Sequence, residues 1–118
     1  MNKRRMGTEY EQLAAAFLKK SGYSILETNF RCSLGEIDII ARQGGYLVFI
    51  EVKYRKNNTC GDGESAVDTR KQVRISRTAA YYLIKKRYSE STPCRFDVVA
   101  IDGTNLHLYK NAFEYIDG

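Results

Sequence analysis

The sequence predicts an α/β fold in which helices flank a mixed β-sheet, with elements in the order αβββαβ(β). Three observations carry that expectation. Two neighbouring segments, Gly35-Glu36-Ile37-Asp38-Ile39-Ile40 and Phe49-Ile50-Glu51-Val52-Lys53, alternate with a period of two and are joined across Gly44-Gly45. Stretches with the 3.6-residue periodicity of amphipathic helices lie before and after this pair. The run from Arg95 to Ile101 is strongly apolar, with the length and β-branched content of a buried strand.

Taken in order, Thr8-Glu9-Tyr10-Glu11 has the form of a capping box, with Thr8 at N-cap and Glu11 at N3. The first helix then runs to about Lys20. Tyr10, Leu13, Ala14, Phe17 and Leu18 form its buried stripe, and Ser21-Gly22 ends it. Ile25 to Arg31 reads as the first strand. In the second, Glu36, Asp38 and Ile40 point one way and Ile37, Ile39 and Ala41 the other. In the third, Glu51, Lys53 and Arg55 share a face opposite Ile50, Val52 and Tyr54. Gly44-Gly45 suits a tight hairpin because both central residues of the favoured turn need positive φ. Asn57 to Glu64, with Gly61 and Gly63, is a polar loop. A second helix covers roughly Asp68 to Arg87, with Ile75, Ala79, Tyr82 and Leu83 towards the sheet. Asp102-Gly103 turns the fourth strand into a fifth at Leu106 to Tyr109. The crossover through the second helix to the fourth strand is expected to be right-handed.

At 118 residues the chain is expected to form a single domain spanning 1–118, large enough for one core without staples. A hydrophobic content of 43%, with nine Tyr and five Phe, argues for a folded chain rather than a disordered one. The net charge of +5 suits a polyanionic partner, but speaks more of solubility and non-specific binding than of a particular activity. Cys32, Cys60 and Cys94 are odd in number, widely spaced and without a CxxC pair. They read as reduced thiols rather than a disulfide frame or zinc site. His107 stands alone, which excludes a histidine-based metal cluster or triad. The basic start Asn2-Lys3-Arg4-Arg5 leads into no apolar run, so neither a signal peptide nor a membrane span is expected, and the expected location is cytoplasmic.

Register decides whether the hairpin acids meet. A two-residue loop at Gly44-Gly45 sets Asp38 opposite Glu51 and Glu36 opposite Lys53. A four-residue loop from Arg42 to Gly45 leaves the same side chains as diagonal neighbours. Direct cross-strand neighbours sit roughly 5 Å apart and diagonals about 7–8 Å, near enough for two carboxylates to share a cation. The plain alternative is a solvated ion-pair ladder, which is worth little. Against that ladder stand Val48-Phe49-Ile50, which runs straight into Glu51, and Ile39-Ile40-Ala41, which runs out of Asp38. The acids therefore lie beside buried strand, where unneutralised charge is costly.

At these residues the chain resembles a known group. Asp38 followed on the next strand by Glu51-Val52-Lys53 looks like the D…(D/E)xK core of the restriction-endonuclease-like nuclease superfamily. The closer resemblance is to the small YraN-type bacterial family, itself similar to archaeal Holliday-junction resolvases. It spans nearly the whole chain. It takes in Gly7, Glu11, Ala14 and Leu18, then Gly22-Tyr23, Asn29-Phe30-Arg31, the GEIDIIA and VFIEVKYR blocks, Lys71, and Arg95-Phe96-Asp97-Val98-Val99. The two blocks are specific in combination, whereas the helix matches alone are weak. The superfamily's name-giving proline before the aspartate is Ile37 here. The resemblance implies a restriction-endonuclease-like core and a metal-dependent nuclease in which Asp38, Glu51 and Lys53 are catalytic. It also implies Mg²⁺ or Mn²⁺ on Asp38 and Glu51, with Glu36 and Glu11 as further metal or outer-shell candidates. Glu11 is equally accounted for by its capping box; Glu9 fits the family position less well.

The second helix adds a basic stripe. Arg70, Arg74, Arg77, Tyr81 and Lys85 recur at intervals of four, three, four and four. Such a stripe is either a solvated face or a surface that tracks phosphates without reading sequence. Lys71, near the start of this helix, matches a family position that could approach the site. The expected function is phosphodiester hydrolysis in nucleic acid, with DNA, including branched DNA, as the first choice of substrate. The alternatives are a nucleic-acid binding module of the same fold with little or no turnover, and a protein-interaction domain in which the acids form only a ladder. A homodimer is compatible with the resolvase resemblance, and the residues themselves are silent on assembly.

Overall fold

The hairpin turn forms as its two glycines require, with φ of 57° at Gly44 and 87° at Gly45, and it pairs Gln43 with Tyr46. The loop is therefore the two-residue one. The computed structural model describes residues 3–55 and 67–116, the side chains of residues 3–8 and 55 excepted. Its elements are α1 (Lys3–Lys20), β1 (Ser24–Cys32), β2 (Gly35–Gln43), β3 (Tyr46–Arg55), α2 (Thr69–Lys85), β4 (Cys94–Asp102) and β5 (Asn105–Phe113). The predicted loop at Asn57 to Glu64, and Cys60 within it, lie outside the described residues.

The five strands form one sheet in the order β1-β2-β3-β4-β5. All neighbours are antiparallel except β3 and β4, which run parallel on either side of the α2 connection. This is the expected mixed sheet. Because α1 and α2 pack into different core clusters, the sheet has two apolar sides. Ile75, Ala79 and Tyr82 of α2 pack with Phe30, Ile40, Phe49 and Phe96. Ala14 and Leu18 of α1 pack with Ile39, Val48, Ile50 and Val99. The central strands read as near-continuous apolar runs because both of their faces are covered.

Several boundaries differ from expectation. Helix α1 begins at Lys3, so the backbone of Thr8 is already helical and Thr8 is not its N-cap. The capping-box signal is short and local, and the helix has propagated through it. Leu13 is 52% exposed and does not belong to the buried stripe, which centres on Ala14 and Leu18 with Tyr10 and Phe17 on its flanks. For α2 the expectation is close, with Asp68 as an extended N-cap accepting from the Lys71 amide at 2.9 Å. Strand β5 runs to Phe113, four residues beyond the expected Tyr109. The ladder passes from Val98–Tyr109 to Phe96–Phe113, so three residues of β5 face Asp97 alone. Asn111, at φ 53°, lies in this bulge.

Alternation also breaks in β2. Gly35 approaches α2 so closely that a Cβ there would meet Thr78 Oγ1 at 2.9 Å, and Ile37 packs into the same α2-side cluster. Two residues further on, Ile39 faces α1, and Ile40 returns to the α2 side. Ile37 is therefore not on the face of Ile39 and Ala41 as strict alternation predicts. The parity changes at Asp38. On β1 its neighbour is Asn29, which lies between the Thr28–Ile39 and Phe30–Ile37 pairs and has φ of 56°. Asn is among the few residues that tolerate this left-handed conformation.

Candidate functional site

The β2–β3 ladder ends at Ile39–Ile50, although both strands continue past that pair. Backbone groups beyond it need other partners, since a buried N–H left unpaired is costly. The Val52 amide finds one in the Asp38 carboxylate, donating to Oδ2 at 2.8 Å. The parity break thus turns Asp38 sideways towards β3, into the opening between the strands. Glu51, the residue before Val52, lies beside it there, close enough to act directly on the Asp38 carboxyl.

Electrostatics of the pair follow from burial. Glu51 is only 8% exposed. Burial, then the hydrogen bond and charge of Glu51, push the Asp38 carboxyl up to about 9, against a smaller lowering by the Val52 amide. At neutral pH the Asp38 carboxyl therefore keeps its proton unless a cation intervenes. One cation is already present: Lys71 Nζ lies 2.9 Å from Glu51 Oε2. Burial opposes the charge of Lys71. The hydrogen bond to Glu51 and the charges of Glu51, Asp38 and Glu36 outweigh it, and hold this amine above its ordinary range.

Glu11 comes to the same place from α1. Burial raises its carboxyl, as do the neighbouring charges of Glu36 and Glu51, against the lowering influence of Arg31 and Asn29. The Asn29 side-chain amide, oriented so that its nitrogen faces the acid, donates to Glu11, at 3.0 Å from Oε1. Tyr10 stacks on Tyr54 with ring centroids 4.1 Å apart and planes 13° from parallel, fastening the turn that carries Glu11 to β3. Lys53 follows Glu51 by two residues on the same strand, hence on the same face. It is half-buried, and among the described residues none forms an ion pair with it.

Of the sequence-based candidates, Asp38, Glu51, Glu11 and Lys71 converge, and Lys53 adjoins them along β3. Glu36 takes a different role. The ladder has ended before it could face Lys53, and Glu36 instead pairs with Arg31 at 3.1 Å, both side chains being well exposed. Asn29 is the residue that sequence reasoning missed as a participant. Its signal, an asparagine breaking an apolar alternation, becomes meaningful only when Asp38 is known to be its neighbour. On α2, Arg70, Arg74, Arg77 and Tyr81 all lie on the exposed side as the spacing predicts. Lys85 Nζ is 5.9 Å from the centres of both the Tyr81 and Phe30 rings, so Tyr81 is already partly engaged.

Among the described residues, no group of three or more His, Cys, Asp or Glu side chains closes around one point. The donor set is a carboxylate pair with a third acid alongside. That set fits a hard cation such as Mg²⁺, which keeps several waters and takes one or two protein carboxylates. It does not fit zinc, which favours nitrogen and sulfur ligands.

The fold and site therefore define a small mixed α/β protein in which an acid pair lies where two central strands part. The chain belongs to the uncharacterised protein family UPF0102, whose model matches residues 10–101. It is 54% identical over 114 residues to a UPF0102 protein of Lachnoclostridium phytofermentans, covering 97% of both chains. A UPF0102 protein of Syntrophus aciditrophicus is 48% identical over 118 residues, with 97% of this chain and 92% of the relative covered. A third, from Moorella thermoacetica, is 54% identical over 101 residues, covering 86% and 83% respectively.

Proposed function

We propose that this protein is a metal-dependent nuclease with a restriction-endonuclease-like core, hydrolysing phosphodiester bonds in DNA. The observation that supports it most is the convergence of Asp38 and Glu51 at the opening of the β2–β3 ladder, where burial and the neighbouring Glu51 hold the Asp38 carboxyl far above its ordinary range. An ordinary ion-pair ladder would keep these acids solvated and opposite cations. The resemblance of Asp38…Glu51-Val52-Lys53 to the D…(D/E)xK nucleases, and of the chain to resolvases, points the same way.

Asp38 and Glu51 would hold the cation, with Glu11 next to them and fixed by Asn29. A divalent ion bound there supplies charge stabilisation at the phosphate and a water of lowered pKa. Lys53 is suited to orient the attacking water or to stabilise the negative charge developing on the phosphate. Lys71 balances the charge of Glu51 and keeps that carboxylate aimed into the gap. The stripe of Arg70, Arg74 and Arg77 would carry the flanking phosphates, contacts that fix position rather than sequence.

A panel of single-stranded, duplex, flap and four-way-junction DNA, incubated with Mg²⁺ or Mn²⁺, tests this reading. Cleavage by the wild type is expected, with Lys53→Ala losing it while keeping most of its DNA affinity, because one charge adds little to a multi-phosphate footprint. Bound cation should also raise the melting temperature by mass action, and Asp38→Asn should remove that increment. Wild-type cleavage that persists undiminished in purified Lys53→Ala would assign the activity to another site. Binding without metal-dependent turnover would leave the protein a nucleic-acid binding module.

A further inference from the structure

A cleft of about 430 Å³ opens between the start of β2 and the first turns of α2. Arg31, Cys32, Glu36, Lys71, Arg74 and Ile75 line it, with the backbone of Gly35 between them. Lys71 also bonds Glu51 at 2.9 Å, so the cleft is continuous with the acid pair. We propose that this cleft seats one unpaired nucleotide of the substrate strand. The feature the protein selects would then be a single-stranded flank beside the cleaved bond. This inference rests on the nuclease reading and names the substrate class for the same site.

Size is the first argument. The volume falls within the roughly 300–1,000 Å³ of small-molecule sites, which suits a monomer-sized group and excludes a base-paired duplex. Charge is the second. Three of the lining side chains are cationic and one is acidic, a balance that favours a phosphate. Among the described residues Arg31 forms its ion pair with the exposed Glu36, and an exposed pair of this kind is worth little, so a phosphate can take over the guanidinium at small cost. Ile75 and the Cys32 side chain give the cleft an apolar portion against which a sugar or base face can rest. Gly35 is the third argument. A side chain there would collide with Thr78 Oγ1, so the glycine permits the close β2–α2 approach that forms the cleft.

Fluorescence anisotropy in EDTA, where no cleavage intervenes, measures affinity for a blunt duplex and for the same duplex carrying a short single-stranded tail. Wild type should bind the tailed DNA at least about five-fold more tightly, the discrimination expected of one seated base. Arg31→Ala and Cys32→Phe should each bring that ratio close to one while changing duplex affinity by no more than about two-fold. Arg31 is exposed, so its substitution carries the test even if Cys32→Phe fails to fold. A wild type without preference for the tail, or a preference surviving in folded variants, would overturn the inference. The nuclease reading would then still stand or fall on metal-dependent cleavage of the substrate panel. Failure of wild type to bind either DNA would overturn the inference, and the nuclease reading with it only if cleavage of the panel in Mg²⁺ or Mn²⁺ is absent as well.

Discussion

Asp38 shows how one residue can be held in place by the need of another. The Val52 amide has lost its ladder partner, and the carboxylate that satisfies it is thereby delivered to Glu51. The arrangement costs stability, with a defined sign. An acid whose folded-state pKa is raised to about 9 from 3.8 contributes most to folding below the lower value. That contribution is lost as pH rises towards the upper value. Asp38→Asn keeps an oxygen for the Val52 amide and removes the charge. It should therefore stabilise the metal-free protein by about 0.5–2 kcal/mol near pH 8, with a smaller gain near pH 5. Urea unfolding of both proteins at the two pH values checks this; an equal or greater gain at the lower pH would contradict the assigned cause. The same substitution should abolish the metal-induced rise in melting temperature. Stability and the proposed activity thus pull against each other at this position.

At the scale of elements, the helix α2 joins the acid pair to the basic surface. Its buried side fixes it on the sheet through Ile75, Ala79 and Tyr82, which leaves Arg70, Arg74 and Arg77 outward over roughly two turns, or about 10 Å. If Arg74 contacts a phosphate, Arg74→Ala should weaken binding about equally for all sequences. It should also lower the slope of log affinity against log salt by about one. A titration across a salt series measures it, and an unchanged slope would return this ridge to a solvated face. The existence and order of all seven elements were legible in the sequence, because period-two runs, Gly44-Gly45 and the α2 stripe are each specified by neighbouring residues. The opening of the β2–β3 ladder was not. It depends on Asn29 of β1, whose left-handed backbone matters only through its cross-strand neighbour. The start of α1 was missed for the opposite reason, since a local capping signal was present and went unused.

Across the whole molecule, the far end of the central sheet is tied together by a second buried acid with a different purpose. Asp97 is fully buried and accepts from the Tyr23 hydroxyl at 2.6 Å, from Arg95 through both carboxylate oxygens, and from the Asn111 amide at 2.9 Å. Arg95 in turn donates to Gln43 at 2.9 Å. This network links the residue following α1's terminal turn, the end of β2, β4 and the β5 bulge. Every bond is satisfied, so Asp97 has no capacity left for a ligand and its role is structural. Burial and the bond to Asp97 push the Tyr23 hydroxyl upward. Removing one partner of such a pair strands the other charge, and Asp97→Ala should cost about 3–5 kcal/mol in equilibrium unfolding. A loss well below that range would mean the pair contributes less than its geometry implies. Tyr23 and Asp97 stand 74 residues apart in sequence, which is why no spacing rule could have joined them.

The bond from the Val52 amide to Asp38 has one more consequence. A peptide proton held by a carboxylate experiences that group's charge directly. The Val52 resonance therefore acts as an internal indicator of the acid pair, shifting when the Asp38 proton leaves and again when a cation takes its place. The main chain itself reports which state the centre is in, from inside the sheet and without an added probe.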